Sequence, residues 1–197
     1  MSKAAAVHGG GKLPGARIAL RLSAGFLAAS LSGGPVSRAA AQEAVVETAQ
    51  GSFVIRLLPD VAPAHVGHFV KITRAGGFDG TTFHRIILHG IVQGGDPLSK
   101  DPKMASRYGT GGLGLLKAEF SDRPMARGAV AAVLRPRQPD SGGNQFFICL
   151  SDQPALTGQY TIFGGVVEGM EVVDAIGETP VEGDKAKTRV EMKVRMR

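Results

Sequence analysis

Arg85 is the residue best placed to turn a fixed charge into chemistry. It lies in Thr82–Ile87, a run that reads as a strand, and Gln93 ends a second short strand at Ile91. A guanidinium held on a strand presents planar, permanently charged N–H donors to any electron-rich atom brought against it. Taken alone, Arg85 is more simply an exposed strand charge. Other chemistry-bearing sets are weaker. His65 and His68 are spaced as two metal ligands on a helix would be, but no third ligand stands near them, and His84 and His89 read as structural or incidental. Gly109–Gly114 (GTGGLG) fits a loose phosphate-loop pattern, yet lacks the preceding strand, following helix and downstream acid that nucleotide binding requires. A hydrolase triad of Ser141, His84 and Asp96 can be written down, but nothing in the spacing supports it. Cys149, the single cysteine, sits in the apolar run QFFICLS and reads as a small buried hydrophobe, not a nucleophile.

The elements that must position these residues are mostly short strands. Ala44–Thr48 and Ser52–Leu58 flank a tight turn, with Phe53, Ile55 and Leu57 on one face by period-two spacing. Pro63 opens a helix over residues 63–75, in which Val66, Phe69 and Val70 recur at helical spacing and which Gly76-Gly77 ends. Further strands are expected at Ala129–Leu134, Gln145–Ser151 and Thr161–Val167, then a second helix at Met170–Ile176 and a half-buried final strand at Thr188–Met196. Many strands with only two helices point to a mainly β barrel or sandwich. The loops between Asp96 and Phe120 and between Arg135 and Asn144 are long enough to suggest function.

The first 41 residues differ from the rest. They hold five basic and no acidic residues, the apolar run Leu22–Leu31, and Ala39-Ala40-Ala41 at their end. These are the parts of a secretory signal peptide, with cleavage expected after Ala41. The apolar run is shorter than the roughly 20 residues a spanning helix needs, so an uncleaved membrane anchor is a weaker alternative, level with a disordered Ala/Gly-rich tail. The net charge of +6 resides mainly in this leader: residues 42–197 carry 18 Lys and Arg against 17 Asp and Glu. The high isoelectric point therefore implies no nucleic-acid partner. The remaining 156 residues suit one domain.

The block Phe83–Asp96 (FHRIILHGIVQGGD) resembles the signature strands of the cyclophilins. The resemblance continues through Gly109–Gly114, Ala118–Phe120 and Asn144–Ile176, and covers essentially all of residues 44–197. It implies an eight-stranded antiparallel β-barrel capped by two α-helices, and peptidyl-prolyl cis-trans isomerase activity. By the same resemblance Arg85 is the catalytic arginine. Gln93 hydrogen-bonds the substrate backbone and helps hold that arginine, Ile91, Phe147 and Leu156 line a proline pocket, and Gln145 belongs to the groove. Tyr160 stands where many members have His, and its hydroxyl can still donate to a substrate carbonyl.

The chemistry explains the arginine. A prolyl amide crosses a barrier of roughly 18–20 kcal/mol because resonance gives its C–N bond double-bond character, and uncatalysed exchange takes on the order of 10–100 s. No bond is made or broken, so no nucleophile, metal or cofactor is required. A guanidinium that donates to the prolyl nitrogen as the amide twists interacts more strongly with the transition state than with either planar ground state. Acceleration by about 10⁵ corresponds to roughly 7 kcal/mol.

Three departures from the family pattern stand out. Gly90 replaces an aromatic residue of the proline pocket, which implies a shallower pocket. Ala155 replaces the Trp of members with high affinity for cyclosporin, so weak binding of that drug is expected. Val133–Asn144 is a longer segment than usual, and its Arg135 and Arg137 are either solvated charges or a preference for acidic residues near the X-Pro bond, the former being simpler. The reading is thus a monomeric folding catalyst acting on proline-containing segments of exported proteins, in a periplasm. The alternative is a cyclophilin-fold proline-peptide-binding module or chaperone with weak turnover. Mass spectrometry of the protein purified from its native cells should find Gln42 as the first residue; an intact residue 1–41 segment would overturn the cleavage.

Overall fold

The computed structural model of the chain describes residues 42–197, and the expected leader, residues 1–41, lies outside them. The hairpin of β1 (Glu43–Thr48) and β2 (Gly51–Leu57) pairs in register from Glu43 opposite Arg56 to Thr48 opposite Gly51. Helix α1 (Pro63–Arg74) follows, then β3 (Thr81–Ile87), β4 (Ile91–Gly94), β5 (Ala129–Ala132), β6 (Phe146–Cys149) and β7 (Ile162–Glu168). Helix α2 (Met170–Gly177), a small hairpin of β8 (Val181–Glu182) and β9 (Lys185–Ala186), and β10 (Glu191–Met196) complete the chain.

Eight of these strands form a closed antiparallel barrel in the order β10-β1-β2-β7-β5-β6-β4-β3, and β3 pairs back onto β10 through Thr82 opposite Glu191. Closure leaves these strands no free edge on which another chain could pair. The interior is filled mainly by aromatic and branched residues. Phe69 of α1 reaches in against Phe78, Phe146 and Phe163, with ring centroids 5.0, 6.0 and 5.4 Å away. The two helices are where the sequence places them. The strands are shorter than expected, with β5 ending at Ala132 and β6 spanning only Phe146–Cys149. The last strand starts at Glu191 instead of Thr188, and residues 181–186 form an unexpected hairpin.

Two local features decide what lies on the outer face. In β6, Phe146 and Ile148 enter the barrel while Phe147 and Cys149 join a second apolar cluster outside it, with Ile91, Met125, Ala131 and Ile162. This is the period-two alternation of a strand. Burial holds the Cys149 thiol protonated, with a pKa pushed up to about 12, and nearby Asp152 adds to the effect. In β3 the alternation breaks. Phe83 and Ile86 both point inward, three positions apart, and the pairing with β4 slips between Phe83 and Arg85. This β-bulge turns Arg85 outward, whereas strict alternation would put it on the same face as Phe83.

Helix α1 lacks a side-chain cap from its own N-terminus, where Ala62 precedes Pro63. Glu119, from the long loop, supplies one. Its carboxylate accepts from the backbone N–H groups of Ala64 and His65, each at 3.0 Å, and from His65 Nδ1 at 2.6 Å. Partial burial raises the Glu119 pKa, but these bonds outweigh it and leave the carboxyl below its ordinary 4.5. The unfolded chain therefore takes up this proton at a higher pH than the folded one. The stabilisation is complete above the ordinary value and is lost as pH falls through the lower folded value. Glu119→Gln should cost about 1–2 kcal/mol by urea denaturation at pH 7, and the deficit should shrink below about pH 4.

Candidate active site

The outer faces of β3, β4 and β6 form the floor of a groove of about 390 Å³, lined by Arg85, Ile91, Gln93, Phe147, Leu156 and Tyr160. Tyr108, Gly109 and Thr110 close one side, and Val133, Leu134 and Pro136 another. Its apolar part is built from the cluster outside the barrel. The Phe147 ring stands nearly perpendicular to that of Tyr160, at 88° with centroids 5.2 Å apart. Such walls suit a small apolar ring such as pyrrolidine.

The polar part is a chain of hydrogen bonds whose direction is set at one end. The Gly111 carbonyl can only accept, so Gln145 turns its Nε2 toward it, at 2.7 Å. Gln145 Oε1 then accepts from Gln93 Nε2 at 3.0 Å. Gln93 is left with Oε1 facing outward, and it accepts from an Arg85 terminal nitrogen at 3.2 Å. On the far side Arg85 Nε donates to Asp184 at 2.6 Å. The guanidinium is thus pinned at two of its three nitrogens, and its remaining N–H groups are free for the groove. The Arg85 hydrogen bond holds the Asp184 carboxyl below its ordinary 3.8, against a smaller opposing effect of burial. The pair therefore survives throughout the neutral and mildly acidic range, and comes apart only as pH falls through that lowered value.

Gln145 has no exposed surface, and both ends of its amide are engaged within the protein, so in this arrangement it orients Gln93. Gln93 is itself 6% exposed, with its oxygen turned to Arg85. Asp184 had no signal in the sequence. Its place follows from the β8–β9 hairpin, which hangs on β3 through Arg85 opposite Lys185 and through the Ile86 N–H donating to the Asp184 carbonyl at 2.8 Å.

The glycine-rich run is a structural device. Asp96, fully buried, accepts from the N–H groups of Leu98, Gly109 and Gly111 at 2.7, 2.6 and 3.2 Å, which folds the loop back on itself. A Cβ at position 111 would come within 2.8 Å of Leu98 and still closer to the Asp96 carboxylate, so only glycine fits there. The paper triad is not assembled: Asp96 is committed to these amides, and the Ser141 hydroxyl bonds the Gln138 carbonyl and the Arg135 N–H. His65 is buried against Glu119, and His68 bonds Asn144 at 2.8 Å. Arg135 and Arg137 are exposed and outside the groove lining, and Arg135 donates to the Leu113 carbonyl. Gly90 lies in the β3–β4 turn and also falls outside the lining.

Comparisons with known proteins agree with this geometry. The family model described as cyclophilin type peptidyl-prolyl cis-trans isomerase/CLD matches residues 44–196. A protein of Brucella suis named "Probable peptidyl-prolyl cis-trans isomerase" is 39% identical over 161 residues, spanning 78% of this chain and 82% of that one. The peptidyl-prolyl cis-trans isomerase CYP18-2 of Arabidopsis thaliana is 34% identical over 140 residues, covering 71% and 83% respectively. Among solved structures, a Cryptosporidium parvum cyclophilin type peptidyl-prolyl cis-trans isomerase superposes with a TM-score of 0.72 at 25% identity, covering 80% of this chain and 98% of that one. The same protein in the presence of the dipeptide Ala-Pro gives a TM-score of 0.70. The chain belongs to the cyclophilin-type peptidyl-prolyl cis-trans isomerases.

The hydrogen-bond chain is tested by Gln145→Leu. The variant leaves the Gly111 carbonyl and the Gln93 Nε2 without partners in the interior, which should cost about 1–3 kcal/mol of stability. With the fold intact by circular dichroism, kcat/KM for an X-Pro peptide should fall about tenfold, a loss of roughly 1.4 kcal/mol in transition-state stabilisation.

Proposed function

We propose that this protein accelerates rotation about X-Pro bonds in flexible segments of exported proteins, with Arg85 as its catalytic residue. The proline ring sits against Ile91, Phe147 and Leu156. Arg85 donates to the prolyl nitrogen as the amide twists and that nitrogen regains its lone pair. The planar amide offers no such acceptor, so the bond strengthens only toward the transition state. Tyr160 is positioned on the groove wall to donate to a substrate carbonyl. The observation that carries this reading is the guanidinium held between Gln93 and Asp184 at the edge of an apolar pocket. The Ala-Pro dipeptide used with the Cryptosporidium relative is the kind of ligand this pocket suits. Export, to a periplasm, rests on the composition of residues 1–41. The protein works as a monomer, and cyclosporin binds weakly because Ala155 is exposed and carries no ring.

The alternative, a binding module with weak turnover, draws on Gly90, which contributes no side chain to the groove. NMR exchange spectroscopy on a short X-Pro peptide separates the two. The proposal predicts cis-trans exchange well above the uncatalysed rate, reduced about 10²–10³-fold in Arg85→Ala, as for loss of one charged transition-state donor. Activity unchanged in Arg85→Ala would overturn the assigned mechanism, and saturable peptide shifts without enhanced exchange would favour the binding module.

A further inference from the structure

On the opposite side of Arg85 from the proline pocket lies a second cavity of about 320 Å³. His84 and Tyr108 give it aromatic walls, and Ala105, Ala186 and Thr188 complete it. It shares Arg85, Tyr108 and Gly109 with the proline groove, so the two are continuous across a partition about one side chain thick. Its volume is at the small end of the roughly 300–1,000 Å³ typical of ligand pockets, enough for one large side chain.

The charges around it are nearly all spoken for. Arg85 is paired with Asp184. Arg189 pairs with Glu191 and also donates to the Ser99 carbonyl and the Tyr108 hydroxyl. His84 directs Nδ1 at the Thr82 carbonyl, which can only accept, so the proton belongs on Nδ1 and Nε2 is left as an acceptor. Burial pulls the His84 pKa down, which keeps the ring neutral, and it packs edge-on against Tyr108 with centroids 6.0 Å apart. Lys185 has no carboxylate partner among the described residues and so disfavours a cationic occupant.

We infer that this cavity is a second side-chain pocket for the substrate, which receives a large uncharged side chain, aromatic or long aliphatic, two residues from the isomerised proline. In an extended peptide, residues two apart point to the same face and stand about 6.6–7 Å from each other, a span suited to crossing a single side-chain partition. The pocket thereby gives this enzyme sequence preference beyond the X-Pro pair. The inference rests on the neighbouring groove being the proline site.

The test uses the full protein and a set of peptides with one central Pro in an Ala background, carrying Phe at the second residue before or the second after the proline. Exchange NMR gives kcat/KM, and alanine-methyl spectra report on Ala105 and Ala186. Phe at one of the two positions should raise kcat/KM about five- to tenfold over the all-Ala peptide, as expected for burying one aromatic side chain, and should shift both methyl signals. Filling the cavity from its exposed wall, with Ala105→Trp or Thr188→Trp, should erase the Phe preference and leave the all-Ala rate unchanged. No preference at either position with unmoved methyls, or a preference that persists in both variants, would overturn the pocket. Absent exchange on every peptide would instead overturn the isomerase mechanism, and the methyl shifts would still report whether the pocket is occupied.

Discussion

The bulge in β3 is the constraint on which the site depends. With Phe83 anchored in the barrel interior, an unbroken strand would bring Arg85 to the same face. There a guanidinium would meet Phe146 and the other core rings, unpaired and desolvated, at a cost of several kcal/mol. One extra residue between the pairings of Phe83 with Gly94 and of Arg85 with Gln93 turns the charge to the groove, while Ile86 returns to the core. The same slip brings Arg85 opposite Gln93 on one side and Lys185 on the other, so both restraints on the guanidinium follow from it.

A catalyst of bond rotation has little to work with besides preorganised polarity. A guanidinium free to follow the substrate would interact similarly with the planar and twisted amides, and only the difference lowers the barrier. The chain from the Gly111 carbonyl through Gln145 and Gln93 removes that freedom. Either glutamine reversed would set donor against donor or acceptor against acceptor somewhere along the line, inside a region with almost no water access. Asp96 extends the same logic by fixing the loop that carries Gly111. The hydrogen bonds that fold the long loop and those that aim the arginine thus form one continuous system.

Much of this was legible in the sequence, and what was not has identifiable causes. Alternation at Phe53, Ile55 and Leu57 and the Pro63 and Gly76 boundaries of α1 correspond directly to packing faces and helix ends, and the barrel with two helices follows the expected fold class. The blocks around Arg85, Gln93 and Phe147 brought together the groove lining. The bulge left no trace because Phe-His-Arg-Ile reads as an ordinary strand until its partner's register is known. The β8–β9 hairpin has strands of two residues, too short to show any period, so Asp184 looked like one more loop acid. Glu119 and Gln145 act across 54 and 34 positions of sequence, on the α1 N-terminus and Gly111, where local reading has no purchase. The burial of His65 is a consequence of the first of these contacts.

The central claim is that a guanidinium of fixed orientation, and not merely a positive charge near the proline, produces the acceleration. Arg85→Lys tests it most directly, because it keeps the charge on the same strand but removes the planar fork that Gln93 and Asp184 grip. Exchange NMR on an X-Pro peptide should find the lysine enzyme nearly as slow as an enzyme with no charge at this position, with the peptide still bound in the apolar pocket. A lysine enzyme running within a few-fold of the wild-type rate would contradict the account, since its flexible ammonium cannot hold the two-sided restraint.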